Sequence, residues 1–140
     1  MSQETLALNR KLFDAWSSRD PKKWSNCFSD DAIFHCDNLP STPLKGRAEL
    51  LAAHQGYLTA FPDLHFEVEQ EIADGAFVVT RWKSSGTHLG PLGPIPPTGK
   101  QSATPGCSIT EFKNEKAVRQ WVYWDNMAML QRLGVMPATT

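Results

Sequence analysis

Three side chains with acid/base chemistry stand at or near the ends of predicted strands: Asp125 after Val118 to Trp124, His88 after Trp82 to Thr87, and His35 within Ala32 to Cys36. Strand alternation puts Trp121, Tyr123 and Asp125 on one face and Val118, Gln120, Val122 and Trp124 on the other. If the first face lines a cavity, desolvation disfavours the charged carboxylate and raises its pKa, as an acid or base working near neutral pH requires. Asp125 is equally placed to cap a following helix that starts at Asn126. Carboxylate bonds to backbone N–H groups would pull its pKa the other way. His88 shares its face with Ser84 and Trp82, so its imidazole can donate a hydrogen bond to a substrate oxygen or exchange a proton. The plainer reading is a partly buried histidine satisfied by loop backbone.

His54 falls on the apolar stripe of a helix with Leu50, Leu58 and Phe61, and Tyr57 lies beside that stripe, so both are expected to line a pocket or to share a core hydrogen bond. His35 is expected at the cavity mouth. His65, set among glutamates, is expected in solvent. The five tryptophans are expected mostly in core and cavity wall, with Trp16 and Trp124 following helical and strand packing patterns rather than forming a binding box. His35, His88 and Asp125 together resemble a metal-binding set in type only. No short ligand spacing accompanies them, and no metal is expected. No G-x-G-x-x-G follows a strand and no H-E-x-x-H occurs, so no cofactor is expected either. Gly93 to Lys100 fails as a phosphate loop, because its glycine spacing is wrong and its prolines lack N–H donors.

These residues need elements to hold them. Leu8, Leu12, Ala15 and Trp16 mark one face of a helix over about 4–17. Asp20-Pro21 has the order of a cap and first helical residue for a short second helix ending near Phe28. A strand over 32–36 runs into a turn-rich segment, Asn38 to Pro43, and a third helix follows Gly46 and stops at Phe61 before Pro62. From Leu64 the period changes to two, placing Leu64, Phe66, Val68 and Ile72 inward and Glu67, Glu69 and Glu71 outward. Asp74-Gly75 is the signal of a type I′ hairpin. The next strand ends near His88, and Gly90 to Gly99, with four prolines, must be a loop. Strands over about 102–112 and 117–124 follow, with a bulge expected at Pro105-Gly106, and a last short helix ends at Gly134. The order predicts an α+β fold, with helices packed on one face of a bent, mostly antiparallel sheet around a pocket.

The chain of 140 residues has the length of one domain, 1–140. A net charge of −1, from 14 basic and 15 acidic residues, excludes a general affinity for nucleic acid. No apolar run approaches the roughly 20 residues of a membrane span, and the first residues lack the sections of a signal peptide. A cytoplasmic protein is expected. Cys27, Cys36 and Cys107 have no C-x-x-C spacing and are expected as free thiols.

FPDLHFEVEQEIADGAFVVTRWKSSGTHLGPLGPIPPTGK and VRQWVYWDNMAMLQRLG resemble the SnoaL-like polyketide cyclases, also called ester cyclases, of the nuclear transport factor two-like superfamily. Gly86-Thr87-His88, Ile95 to Gly99 and Tyr123-Trp124-Asp125 carry the resemblance. It implies a cone-shaped barrel, a homodimer formed through the sheet's outer surface, and cofactor-free chemistry on a small hydrophobic, polyketide-like carbonyl compound. In that chemistry Asp125 takes a proton alpha to the carbonyl and the enolate closes a ring by aldol attack, with His88 as oxyanion donor and His35 nearby. Trp16, His54, Tyr57, Trp82, Trp121 and Tyr123 would contact the substrate. Where characterised cyclases carry a second polar residue on the penultimate strand, this chain has Cys107 to Glu111 and no histidine. A hydrolase activating water on an epoxide or ester, and a non-catalytic ligand-binding dimer, are the alternatives.

Overall fold

The computed structural model describes residues 2–36 and 43–135. The segment 37–42, which holds most of the expected turn after the first strand, lies outside the described residues. Helices α1 (Ser2–Ser17) and α2 (Pro21–Ser25) lead into strand β1 (Phe28–His35). The short β2 (Leu44–Lys45) and helix α3 (Arg47–Ala60) follow. Strands β3 (His65–Asp74), β4 (Phe77–Thr87), β5 (Gln101–Lys113) and β6 (Lys116–Trp124) then form a meander that ends in helix α4 (Asn126–Arg132). The α2 start is as expected: the Asp20 carboxylate accepts from the N–H groups of Lys22 and Lys23, and Pro21 occupies the first helical position.

The six strands form one curved sheet in the order β2-β1-β6-β5-β4-β3, antiparallel except for β1 against β6. It stays open at β2 and β3, so it bends around the helices without closing as a barrel. A row of directly opposed outer-face residues crosses five strands: Ile72, Val79, Ile109, Trp121 and His35. Inside, Leu12, Trp24, Phe28, Leu50 and Val78 are at most 1% exposed and form the floor of the core. Full burial of such a side chain is worth roughly 1.5–3 kcal/mol.

Three local expectations change. The β3 alternation holds only to Val68, because a bulge between Val68 and Gln70 reverses the faces. Beyond it Ile72 is 57% exposed, while Glu71 turns in to accept from Asn9 Nδ2 at 2.8 Å. Pro105-Gly106 makes no bulge, since Pro105 pairs with Lys83 and Gly106 with both Trp82 and Trp124 in continuous register. Glycine is needed there for another reason: a Cβ on Gly106 would stand 2.2 Å from the Trp82 ring. Finally, the turn with two successive positive-φ residues is Asn114-Glu115 (φ 52° and 65°), whereas the β3–β4 turn has only Gly75 in that region (φ 61°).

Candidate functional site

Between the helices and the inner face of the sheet lies a cavity of about 80 Å³. Helices contribute Phe13 and Trp16 from α1, Trp24 from α2, and Ala53, His54 and Tyr57 from α3. The sheet contributes Phe34 of β1, Phe66 of β3, Trp82 and Ser84 of β4, Ser102, Thr104 and Ser108 of β5, and Gln120, Val122 and Trp124 of β6. Among the described residues, no aspartate, glutamate, lysine or arginine lines it. The wall is therefore aromatic and aliphatic with neutral hydroxyl and amide groups set into it.

Several of those polar groups already have partners within the sheet. Trp82 Nε1 donates to Ser108 Oγ at 2.8 Å, Gln120 Nε2 donates to Thr110 Oγ1 at 2.8 Å, and the Ser102 and Thr104 hydroxyls lie 3.2 Å apart. His54 is different. It is fully buried, and neither ring nitrogen has a hydrogen-bond partner among the described residues. Its ring lies 4.0 Å from that of Trp16 and 4.8 Å from that of Trp24, centroid to centroid. Desolvation drives its pKa down to about 4, against a smaller opposing pull from Asp20, so the imidazole is neutral at pH 7. Such a ring offers one N–H donor and one lone pair. Tyr57, one helical turn further along α3, has its phenol pushed well above the usual range by burial, with Cys36 adding to the effect. It stays an O–H donor.

Four residues expected at the substrate, Trp16, His54, Tyr57 and Trp82, stand on this wall. The other five candidates do not. The alternation expected for β6 is present, but the cavity takes the opposite face: Gln120, Val122 and Trp124 point in, and Trp121, Tyr123 and Asp125 point out. Tyr123 is 53% exposed. The exposed Asp125 carboxylate accepts from Ala128 N at 3.0 Å, capping α4, which is the plainer of its two expected roles. His35 lies on the outer face as well, stacked 5.4 Å from the Trp121 ring, with Nε2 accepting from Arg119 Nε at 3.1 Å.

His88 is fully buried, yet it lies off the cavity, behind Phe61, whose ring centroid is 5.4 Å away. Its Nδ1 is 3.1 Å from Thr98 Oγ1 and accepts from Thr98 N at 3.3 Å. It thus ties the two ends of the proline-rich loop together, helped by backbone bonds from His88 N to Lys100 O and from Gly99 N to His88 O. His35, His88 and Asp125 do not share a site. The outer-face positions of His35 and Asp125 follow from the direction in which the sheet curves, which strand alternation does not encode. Sequence reading missed the β5 residues Ser102, Thr104 and Ser108, although polar side chains at every second position were a usable signal. Trp24, covered only by the general expectation for the five tryptophans, was not singled out as a site residue.

A curved open sheet wrapped around helices over an aromatic cavity defines the class: an α+β cone with the nuclear transport factor two and ketosteroid isomerase-like fold. The SnoaL-like polyketide cyclase family model matches residues 7–133, and the chain belongs to that family. Among solved structures it is similar to AclR, a candidate hydroxylase from Streptomyces galilaeus, at 26% identity over 100% of this chain and 87% of that one, with a TM-score of 0.86. It is similar also to IdmH, a candidate polyketide cyclase from Streptomyces antibioticus, at 26% identity over 93% of this chain and 98% of that one, with a TM-score of 0.79. A protein of ketosteroid isomerase-like fold from Catenulispora acidiphila, at 15% identity over 91% of this chain and 92% of that one and a TM-score of 0.78, shares the fold. The comparison with curated proteins finds no match. Among the described residues no helix is long and apolar enough to cross a membrane, and no cluster of three or more potential metal ligands occurs.

Proposed function

We propose that the protein is a cofactor-independent cyclase-type enzyme acting on a small, uncharged, hydrophobic carbonyl compound, with His54 as the acid/base group. The observation that carries this reading is an imidazole buried in the cavity wall with both nitrogens unpartnered. Family membership and the likeness to IdmH support the reaction class.

In this reading the neutral His54 takes a proton from the carbon alpha to the carbonyl, and the C–H electron pair passes into an enolate whose oxygen accepts from the Tyr57 hydroxyl. The imidazolium so formed faces a new anion, which offsets the hydration it lacks and raises its proton affinity at the step that needs it. Attack of the enolate carbon on a second carbonyl of the same molecule forms the C–C bond. The displaced carbonyl electrons become an alkoxide, which takes the proton back from His54. The apolar wall excludes water from the enolate meanwhile.

The first half of this sequence can be tested without the natural substrate. With 1-tetralone in D2O, the protein is expected to catalyse deuterium incorporation at C2, read by NMR, and His54→Gln to lower that rate about 100-fold or more. Binding of the ketone without catalysed exchange would overturn the enzyme reading in favour of a binding module.

The outer sheet face is the surface we assign to a second copy of the chain. The row Ile72, Val79, Ile109, Trp121 and His35 is bordered by Arg81 on one side and by Glu111 and Arg119 on the other, a mixture of signs that a two-fold interface can match to itself. Sedimentation should give twice the chain mass for the wild type and the single mass for Trp121→Glu.

A further inference from the structure

Trp24 is a second residue of the cavity wall that carries an unpartnered polar atom. Its side chain is 1% exposed, and Nε1 has no hydrogen-bond partner among the described residues. Indole Nε1 is a donor only, and leaving it buried and unpaired is costly. Trp82 makes the contrast on the opposite wall, where Ser108 accepts its N–H at 2.8 Å. Among the described residues none accepts from Trp24: Phe28, Phe34 and Trp16 pack on its ring at 4.8, 6.1 and 4.8 Å, and His54 lies at 4.8 Å without bonding to it. Trp24 lines the cavity, so a molecule that fills it can supply the acceptor.

The position of Trp24 is also distinct from that of Tyr57. Trp24, Phe34 and His54, none more than 6% exposed, adjoin one another on the cavity wall. Tyr57 packs edge-on against the half-buried Trp124 at 5.8 Å, nearer the surface. Two neutral donors thus stand near His54: Trp24 with its ring 4.8 Å away, and Tyr57 one helical turn along α3. Packing Trp24 between two phenylalanines and a second tryptophan fixes its indole, so the donor is already oriented before a ligand arrives.

We propose that Trp24 Nε1 is a substrate-positioning donor that receives an oxygen atom of the cavity ligand, separate from the oxygen held by Tyr57. The ligand class is a small hydrophobic compound with an uncharged acceptor oxygen, since among the described residues no cationic or anionic side chain lines the cavity. This rests on the cavity being the ligand site, and it deepens the reading given above without needing the proton transfer to occur.

The test compares Kd values of 1-tetralone, 1-naphthol and naphthalene, by equilibrium dialysis, for the wild type and for Trp24→Phe, which keeps an aromatic ring and removes the N–H. Loss of one hydrogen bond is expected to weaken tetralone and naphthol about three- to tenfold and to leave naphthalene within about twofold. Equal weakening of all three ligands would mean a change of shape only, and would overturn the proposal. So would unchanged binding of the oxygenated pair, which would leave Trp24 Nε1 facing ordered water, and so would failure of the wild type to bind any of the three. A wild type that prefers the oxygenated ligands through Trp24 yet exchanges no deuterium would sustain this inference and remove the enzyme reading. Catalysed exchange with an unaltered oxygen preference in Trp24→Phe would do the reverse.

Discussion

The two faces of the sheet at β5 and β6 carry similar side chains in opposite circumstances. Trp124 faces inward onto the cavity beside Tyr57, whereas Trp121 faces outward under the Arg119 guanidinium, 5.4 Å from its ring centre, and against His35. Each face also presents a histidine. His54 on the helices opposite the inner face has no partner for either nitrogen, while His35 on the outer face accepts from Arg119. The outer group is satisfied within the chain, and the inner group is left for a ligand. An unpaired polar atom among apolar groups is costly, and at His54 it coincides with the cavity wall, which together mark a site more sharply than the residue type alone.

The largest expected effect that separates the two faces is one of pH. Above about pH 6.5 His54 is neutral folded or unfolded, and its contribution to stability is at its full value. As pH falls from 6.5 toward its folded value of about 4, the unfolded chain takes up a proton that the folded one refuses, and stability drops. The loss by pH 4 is on the order of 3 kcal/mol. Urea unfolding of the wild type and of His54→Gln between pH 7 and pH 4.5 should show a shallower decline in the variant. Parallel curves would place the His54 ring in water and break the contrast.

A smaller effect is expected from neighbouring residues of β5. Gly106→Ala drives a methyl group into the Trp82 ring and should cost about 2 kcal/mol of unfolding free energy. Cys107→Ser, one residue along and pointing to the other face, should stay within about 0.5 kcal/mol. Similar losses at the two positions would show that Trp82 yields without cost.

Next comes the carboxylate on the outer side. Asp125→Ala removes the cap of α4 and should cost about 1 kcal/mol, while Asp125→Asn, which retains an acceptor, should change stability by no more than a few tenths. Neither should alter 1-tetralone exchange. An exchange rate that collapsed in a folded Asp125→Asn protein would return the chemistry to the outer face.

How much of this was legible in the sequence depends on the range of the interaction responsible. Helices α1 and α3, the cap at Asp20, the meander of four strands and the inward place of His54 are set by periodicity and by contacts between near neighbours, and all could be read. The bulge in β3 could not, because the apolar Ile72 kept the alternating pattern running while Glu71 was drawn inward by Asn9, 62 positions away. The two-residue strand β2 was equally hidden: it exists only through pairing with β1. Pro105-Gly106 gave a true signal with the wrong cause, since the glycine answers to Trp82 on the next strand.

By itself, the sequence determined the α+β class, the family, and the partition of β6 into the set Gln120, Val122, Trp124 and the set Trp121, Tyr123, Asp125. Which set faces the cavity was decided only in three dimensions. A strand's alternation is symmetric with respect to its two faces, and both sets here contain a tryptophan. The choice was made by the direction of sheet curvature and by the helices that fill its hollow. Those same helices bring Trp24, His54 and Tyr57 from two separate segments onto one wall.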